Sequence, residues 1–115
     1  MTIEEIKKVV NAQIVVGKIP DSVEVEQVFA SDLMSDVLTI DSEKKLLLIT
    51  GLANIQTIRT CEMSDIGMIL FVRGKEIKPE MKELAEEHGI ILLRTEYSMY
   101  RTCGMLYSAG LSPVY

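Results

Sequence analysis

Four arginines occupy positions that favour the binding of an anion in an α/β protein. Arg73 and Arg94 directly follow apolar runs typical of buried strands, and Arg59 and Arg101 lie in helical segments that begin just after such runs. Strand carboxyl ends form the ligand-binding edge of an open parallel sheet, and helix amino ends add positive partial charge there. We therefore predict an anion site at this edge, made by Thr50, Gly51, Asn54, Arg59, Arg73, Gly74, Arg94, Thr95, Ser98 and Arg101.

The same arginines have an alternative explanation. They would pair with neighbouring carboxylates or contribute to a subunit interface, where arginine is enriched. Under the ligand hypothesis, Arg73 and Arg94 project from loops at the sheet edge. Replacing either of them with alanine would then change the free energy of unfolding by no more than about 0.5 kcal/mol.

The remaining reactive residue types do not form a catalytic or metal-binding pattern. Cys61 and Cys103 fall on apolar helix faces, where cysteine behaves as a small hydrophobic residue with a free thiol. His88 precedes Gly89 at a helix end, a position that favours a cation or a packed side chain over a general base. Gly17-Lys18 lacks the rest of a phosphate-binding loop motif. We therefore expect no metal, no required cofactor and no catalytic residues.

The composition is typical of a single globular domain. The chain has 115 residues, of which 48% are hydrophobic and 25% are charged, so one domain over residues 1–115 is expected and disorder is disfavoured. The formal net charge of −5 disfavours nucleic-acid binding, which depends on basic groups that neutralise phosphates. No apolar stretch reaches the roughly 18 residues of a membrane span. The first residues of the sequence also lack the basic and then apolar order of a signal peptide. We therefore expect no membrane association and a cytoplasmic location.

The first 30 residues predict one helix and two short strands. Thr2 is the expected cap of a helix over residues 2–10. Residues 13–16 form a β-branched run, and residues 23–26 alternate apolar and acidic side chains as in a strand with one solvent-exposed face.

A second, short helix is expected after residue 30. Ser31 is its expected N-cap, and Asp32 is favoured near the positive end of the helix dipole. The side chains expected to pack inward are Leu33, Met34, Val37 and Leu38. Polar turns are expected at residues 20–22 and 41–44.

From residue 46 onward, apolar strands alternate with amphipathic helices. The strands are predicted at residues 46–49, 66–72 and 90–93. The helices have local end signals: Asn54 as a cap, Pro79 at a first turn, Gly89 after a last turn, and Ser98 or Thr95 as the cap of the final helix. This alternation predicts βαβ units around a largely parallel sheet, in a three-layer α/β/α domain.

The order of three segments, residues 49–56, 69–74 and 84–90, resembles the DRTGG domain family. That family includes the N-terminal domain of bacterial HPr kinase/phosphorylase. Residues 29–38 and the turn at residues 95–98 fit the same pattern, so the resemblance covers roughly residues 12–110. It implies a fold like that of the HPr kinase N-terminal domain.

The chain departs from this family pattern at two steps. The pattern has Gly-Asp-Arg after the central strand, where this chain has Gly51-Leu52-Ala53, and Thr-Gly-Gly after the next strand, where this chain has Val72-Arg73-Gly74. The resemblance implies a non-catalytic regulatory or interaction module that acts through homodimerisation or a regulatory protein partner. The alternative is a sensor for an anionic small molecule, such as an adenine nucleotide, at the carboxyl edge of the sheet. A small enzyme is disfavoured because no nucleophile is paired with a base.

The final helix and tail carry more apolar and aromatic surface than one monomer readily buries. Met99, Cys103 and Leu106 suffice to cover the sheet, which leaves aromatic side chains on a second face of the helix. We therefore predict a homodimer whose interface includes Tyr100, Tyr107, Leu111 and Tyr115. The alternative is that these tyrosines lie flat on the surface of their own domain.

Overall fold

The buried strands form where consecutive apolar residues leave no polar face to turn toward solvent. The computed structural model describes residues 1–18, 23–41 and 45–115. Its helices are α1 (Ile3–Val9), α2 (Met34–Val37), α3 (Ile55–Met63), α4 (Pro79–His88) and α5 (Met99–Ser108). Its strands are β1 (Gln13–Val16), β2 (Gln27–Ala30), β3 (Leu46–Thr50), β4 (Met68–Phe71), β5 (Ile91–Arg94) and β6 (Ser112–Pro113). The turn predicted at residues 20–22, and residues 42–44 of the turn predicted at 41–44, lie outside the described residues.

One sheet of six strands runs through the described part of the chain in the order β1-β5-β4-β3-β2-β6. Strand β1 pairs antiparallel with β5, and the other neighbouring strands are parallel. Strands β2 to β5 are adjacent in both chain order and space, so right-handed crossovers place α2, α3 and α4 on one face. Helices α1 and α5 cover the opposite face. The predicted three-layer α/β/α domain with a largely parallel sheet is confirmed.

The two hydrophobic clusters follow from the alternation of side chains along the strands. In β3, Leu46 and Leu48 belong to the cluster under α2, α3 and α4, whereas Leu47 and Ile49 belong to the cluster under α1 and α5. All five β3 residues are buried. The central strands are therefore covered on both faces.

The strand predicted at residues 23–26 is displaced. The structure has β2 at Gln27–Ala30 instead, paired with both β3 and β6. Glu24 makes an isolated antiparallel bridge with Thr2, and the Val25 amide donates a 2.7 Å hydrogen bond to the carbonyl of Met1. The alternating run thus pairs with the amino-terminal segment, because a nearby backbone satisfies its hydrogen bonds.

Helix α2 is a single turn and differs from the expected helix. Leu33 is at its N-cap position, and the Ser31 hydroxyl accepts a 3.0 Å hydrogen bond from the Leu33 amide before the helix begins. Met34 and Val37 are buried, but Leu33 is 57% and Leu38 is 52% exposed. A helix of one turn presents only an i, i+3 pair to the core, so the expected inward packing of Leu33 and Leu38 is wrong.

The predicted end signals of the other helices are confirmed. Thr2, Asn54 and Ser98 each accept a hydrogen bond from a first-turn amide, and Pro79 begins α4. Gly89 ends α4 at a φ of +68°, a conformation that glycine adopts without a Cβ clash. Strand β6 was not expected, because its two residues have no periodicity to detect. None of the helices in the described residues is long and apolar enough to cross a membrane.

Candidate functional site

A crevice forms at the carboxyl edge of the sheet, where the helices that follow two neighbouring strands pack on opposite faces of the sheet. After β4 the chain enters α4, which packs in one hydrophobic cluster through Met81 and Ala85. After β5 it enters α5, which packs in the other cluster through Leu106. Ligands of open α/β sheets bind outside strand carboxyl ends at such a reversal.

A cleft of about 480 Å³ lies at this edge. Three loops, following β2, β3 and β4, and the start of α5 line it. The lining residues are Asp32, Gly51, Leu52, Val72, Arg73, Lys75, Ser98, Met99 and Tyr100. The volume falls within the roughly 300–1,000 Å³ typical of small-molecule sites.

The turn after β4 places Arg73 in the cleft at a backbone cost. Arg73 has a φ of +63° and Gly74 a φ of +66°, so two successive residues are left-handed. The Arg73 amide donates to the carbonyl of Tyr97 at 2.7 Å, and the Gly74 amide donates to that of Thr95 at 2.9 Å. A left-handed conformation costs a residue with a Cβ roughly 1–2 kcal/mol. The two hydrogen bonds hold the turn against the β5–α5 loop, with the exposed Arg73 side chain on the cleft.

Arg94 is the last residue of β5, and its side chain is already engaged. Its Nε donates to the carbonyl of Lys75 at 2.8 Å and its Nη2 to the carbonyl of Gly74 at 2.9 Å. The same Nη2 lies 3.1 Å from Oε1 of Glu96. The expectation that Arg94 projects freely from a loop is wrong, because the guanidinium holds the β4–α4 loop in place.

Asp32 lines the cleft and was missing from the predicted site. Its Oδ1 accepts hydrogen bonds from the Gly51 amide at 2.7 Å and from the Thr50 hydroxyl at 2.9 Å. Thr50 is buried and in turn accepts from the Leu52 amide at 3.1 Å, so it orients the loop from beneath the cleft. The signal for Asp32 was its position just after a strand, which the displaced assignment of β2 concealed.

Several predicted site residues support the loops and do not line the cleft. The buried Thr95 hydroxyl donates to the carbonyl of Val10 at 2.7 Å and accepts from the Tyr97 amide. Asn54 caps α3 through a 2.9 Å hydrogen bond from the Thr57 amide. Gly74 lies beside the carboxylate of Glu96, which would have to move to make room for a Cβ. These residues shape the edge without facing the cleft.

Two of the four arginines lie away from the cleft. Arg101 stacks its guanidinium over the ring of Tyr97, 3.7 Å from the ring centroid. Arg59 is exposed on α3 and is not among the lining residues. Of the predicted set, the cleft therefore brings together Gly51, Arg73 and Ser98.

The charges that line the cleft are two cations and one carboxylate. Within the described residues, the side chains of Arg73 and Lys75 form no ion pair, and Asp32 is the acidic group among the lining residues. An excess of positive charge in a chain of net charge −5 makes this edge locally suited to an anion.

The thiols and the histidine lie outside this arrangement. Cys61 and Cys103 are free and belong to opposite faces of the sheet. Burial raises the pKa of Cys61 to about 12 and also raises the pKa of Cys103, which disfavours the reactive thiolate. His88 ends α4, with its Nδ1 3.6 Å from Glu62, at the edge opposite the cleft. Among the described residues no group of three or more His, Cys, Asp or Glu side chains is arranged to hold a metal ion.

Helix α5 also has an exposed aromatic face, which we call the α5 outer face and define by Tyr100, Gly104 and Tyr107. Tyr100 is 91% and Tyr107 is 70% exposed. Apart from the backbone of its own helix and its chain neighbours, no atom of the described residues lies within 4 Å of where a Cβ on Gly104 would be. Tyr115 is exposed beside Phe29, with ring centroids 6.1 Å apart. Leu111 is 6% exposed and packs in its own core, so it is unavailable for the predicted interface.

A comparison with protein-family models identifies one family, and a comparison with solved structures finds a similar fold. The chain matches the DRTGG domain model over residues 5–109. A solved structure similar to it contains the CBS and DRTGG domains of the regulatory region of Clostridium perfringens pyrophosphatase, complexed with the activator diadenosine tetraphosphate. The TM-score is 0.71 at 14% sequence identity, and the match covers 91% of this chain and 45% of that one. No match was found among curated proteins.

Proposed function

Because this chain belongs to the DRTGG domain family, we propose that it is a non-catalytic regulatory module that binds an anionic small molecule in the edge cleft. We further propose that it transmits binding through α5 to a second copy or to a protein partner. One observation carries this proposal: α5 begins in the cleft and continues as the exposed outer face, with Tyr100 lining both surfaces.

An adenine nucleotide is the first ligand class to test. The similar pyrophosphatase regulatory region is described as bound to diadenosine tetraphosphate, an anionic adenine nucleotide. This chain spans 45% of that structure, and we propose that it too binds an adenine nucleotide. Arg73 and Lys75, which form no ion pair with any described residue, supply the charge that a phosphate group requires.

Thermal unfolding with a panel of nucleotides and inorganic anions tests the ligand. A ligand present at 100 times its Kd adds about 2.7 kcal/mol to the free energy of unfolding. We expect at least one phosphate-bearing compound to raise the melting temperature, and Arg73→Ala to abolish the increase. Unchanged melting curves for every compound would refute ligand sensing at this cleft.

The proposed absence of catalysis rests on the chemistry of the described residues. Burial of the two thiols favours their protonated form, and His88 lies at the edge opposite the cleft. The cleft offers Asp32, Arg73, Lys75 and the Ser98 hydroxyl, and within the described residues this hydroxyl accepts from the Arg101 amide and has no hydrogen bond to a basic side chain. The free thiols on opposite faces of the sheet support the proposed reducing, cytoplasmic compartment.

A further inference from the structure

We propose that Asp32 makes the edge cleft selective for phosphate esters that carry free hydroxyl groups, such as nucleoside monophosphates, over bare inorganic anions. This inference rests on the proposed anion site and specifies which anions it accepts.

The carboxylate of Asp32 is oriented by the neighbouring strand end. Its Oδ1 accepts both the Gly51 amide at 2.7 Å and the Thr50 hydroxyl at 2.9 Å. Within the described residues its Oδ2 has no hydrogen-bond partner, and the side chain lines the cleft. One oxygen is therefore fixed by the protein while the other remains available to a ligand.

A carboxylate in an anion-binding cleft discriminates by what it accepts. An ionised carboxylate has acceptors and no donor, so it repels a bare anion and forms hydrogen bonds only with a group that brings a hydrogen. Ligand hydroxyl groups meet that requirement, and an acidic side chain binds ribose hydroxyls in other open α/β sheets. Asp32 therefore weakens the binding of inorganic anions and strengthens the binding of anions that carry hydroxyl groups.

The positive charges in the same cleft indicate that the other part of the ligand is an anionic group. Arg73 and Lys75 provide two positive charges, which match the double negative charge of a phosphate monoester near neutral pH. The cleft volume of about 480 Å³ is large enough for a mononucleotide. A phosphate at the cations and a sugar at Asp32 would use both sets of groups at once.

Calorimetric titration with three probes tests this assignment: AMP, 2′,3′-dideoxy-AMP and inorganic phosphate. For the unmodified chain we expect AMP to bind about tenfold more tightly than the dideoxy compound, the typical effect of one hydrogen bond to a charged group. Asp32→Asn keeps an acceptor for the Gly51 amide and removes the charge. In this variant we expect the preference for AMP to shrink and phosphate to bind more tightly.

The matched control is Asp36→Asn, which removes an exposed carboxylate of α2 that does not line the cleft. It should retain the preference of the unmodified chain. Equal affinities of AMP and dideoxy-AMP for the unmodified chain overturn the role of Asp32 whether or not any variant folds. An AMP preference that is not reduced in Asp32→Asn also overturns it, while leaving the anion site intact. Failure of all three probes to bind overturns this inference, and unchanged melting curves across the whole nucleotide and anion panel overturn the anion site with it.

Discussion

Arg73 combines an unfavourable backbone conformation with an exposed, unpaired charge among the described residues. Conformations of this kind persist where neighbouring contacts enforce them, and they cluster at binding sites. Here the carbonyls of Tyr97 and Thr95 enforce the turn. The unfavourable backbone conformation of Arg73 thus directs its cationic side chain toward the cleft.

Replacing Arg73 separates its backbone cost from its charge. Arg73→Ala keeps the left-handed requirement, so its free energy of unfolding should change by no more than about 0.5 kcal/mol. Arg73→Gly removes the steric cost of the left-handed backbone. It should raise the free energy of unfolding by up to about 1 kcal/mol, net of the entropy of glycine in the unfolded chain. Urea denaturation measures both, and both variants should lose phosphate binding. A loss of several kcal/mol in Arg73→Ala would make this arginine structural.

Arg94 is expected to behave in the opposite way. Arg94→Ala leaves the carbonyls of Gly74 and Lys75 without their donor, which should lower the free energy of unfolding by about 2 kcal/mol. Glu96→Gln is the control, because Glu96 is largely exposed and surface ion pairs contribute less than about 1 kcal/mol. If urea denaturation finds the two variants equally stable, the guanidinium does not hold the loop.

At the scale of the helix, α5 carries a buried polar defect. The Thr102 hydroxyl is fully buried, and within the described part of the chain it has no hydrogen-bond partner. A buried unsatisfied group costs roughly 1–3 kcal/mol, and valine has almost the same shape as threonine. Thr102→Val should therefore raise the free energy of unfolding by about 1 kcal/mol.

Helix α3 offers a matched comparison for this prediction. Thr57 is equally buried, but its hydroxyl donates to the carbonyl of Leu52 at 2.6 Å. Thr57→Val should lower the free energy of unfolding by about 1 kcal/mol, because the carbonyl loses its donor. Chemical denaturation of both variants gives the difference directly. Two changes of the same sign would show that hydrogen bonding does not decide these positions.

At the scale of the whole molecule, the α5 outer face is the proposed dimer contact. Gly104 leaves space for close approach between two aromatic side chains that are largely exposed in the monomer. Tyrosine is enriched at interfaces, where its ring packs and its hydroxyl stays hydrated. Light scattering at micromolar concentration should give twice the 12.9 kDa mass of one chain.

Point substitutions locate that contact. Tyr107→Asp should return the mass to that of a monomer, because it introduces an unpaired charge into the interface. Met63→Asp changes an exposed residue of α3 in the opposite helix layer and should leave the dimer unchanged. A monomer mass for the unmodified chain refutes the dimer. A dimer that persists in Tyr107→Asp places the contact elsewhere.

The elements that the sequence determined are those whose signals are local. The apolar runs of β3, β4 and β5 and the caps at Thr2, Asn54 and Ser98 depend on a few consecutive residues. The alternation of strands and helices then required a largely parallel sheet, because parallel strands need a crossover between them. The edge that carries the cleft followed from that topology.

Only the tertiary structure decided which side chains meet at this edge. Strand β2 begins at Gln27, and not at residue 23, because its start is set by pairing with β3 and β6. These two partners are distant from it in sequence. The same long-range pairing brings Asp32 to Gly51 and Arg94 to the loop after β4. Residue type and spacing cannot distinguish an arginine that faces a cleft from one that binds two carbonyls. That difference depends on the nearest acceptor in space, which is set by contacts between strands far apart along the chain.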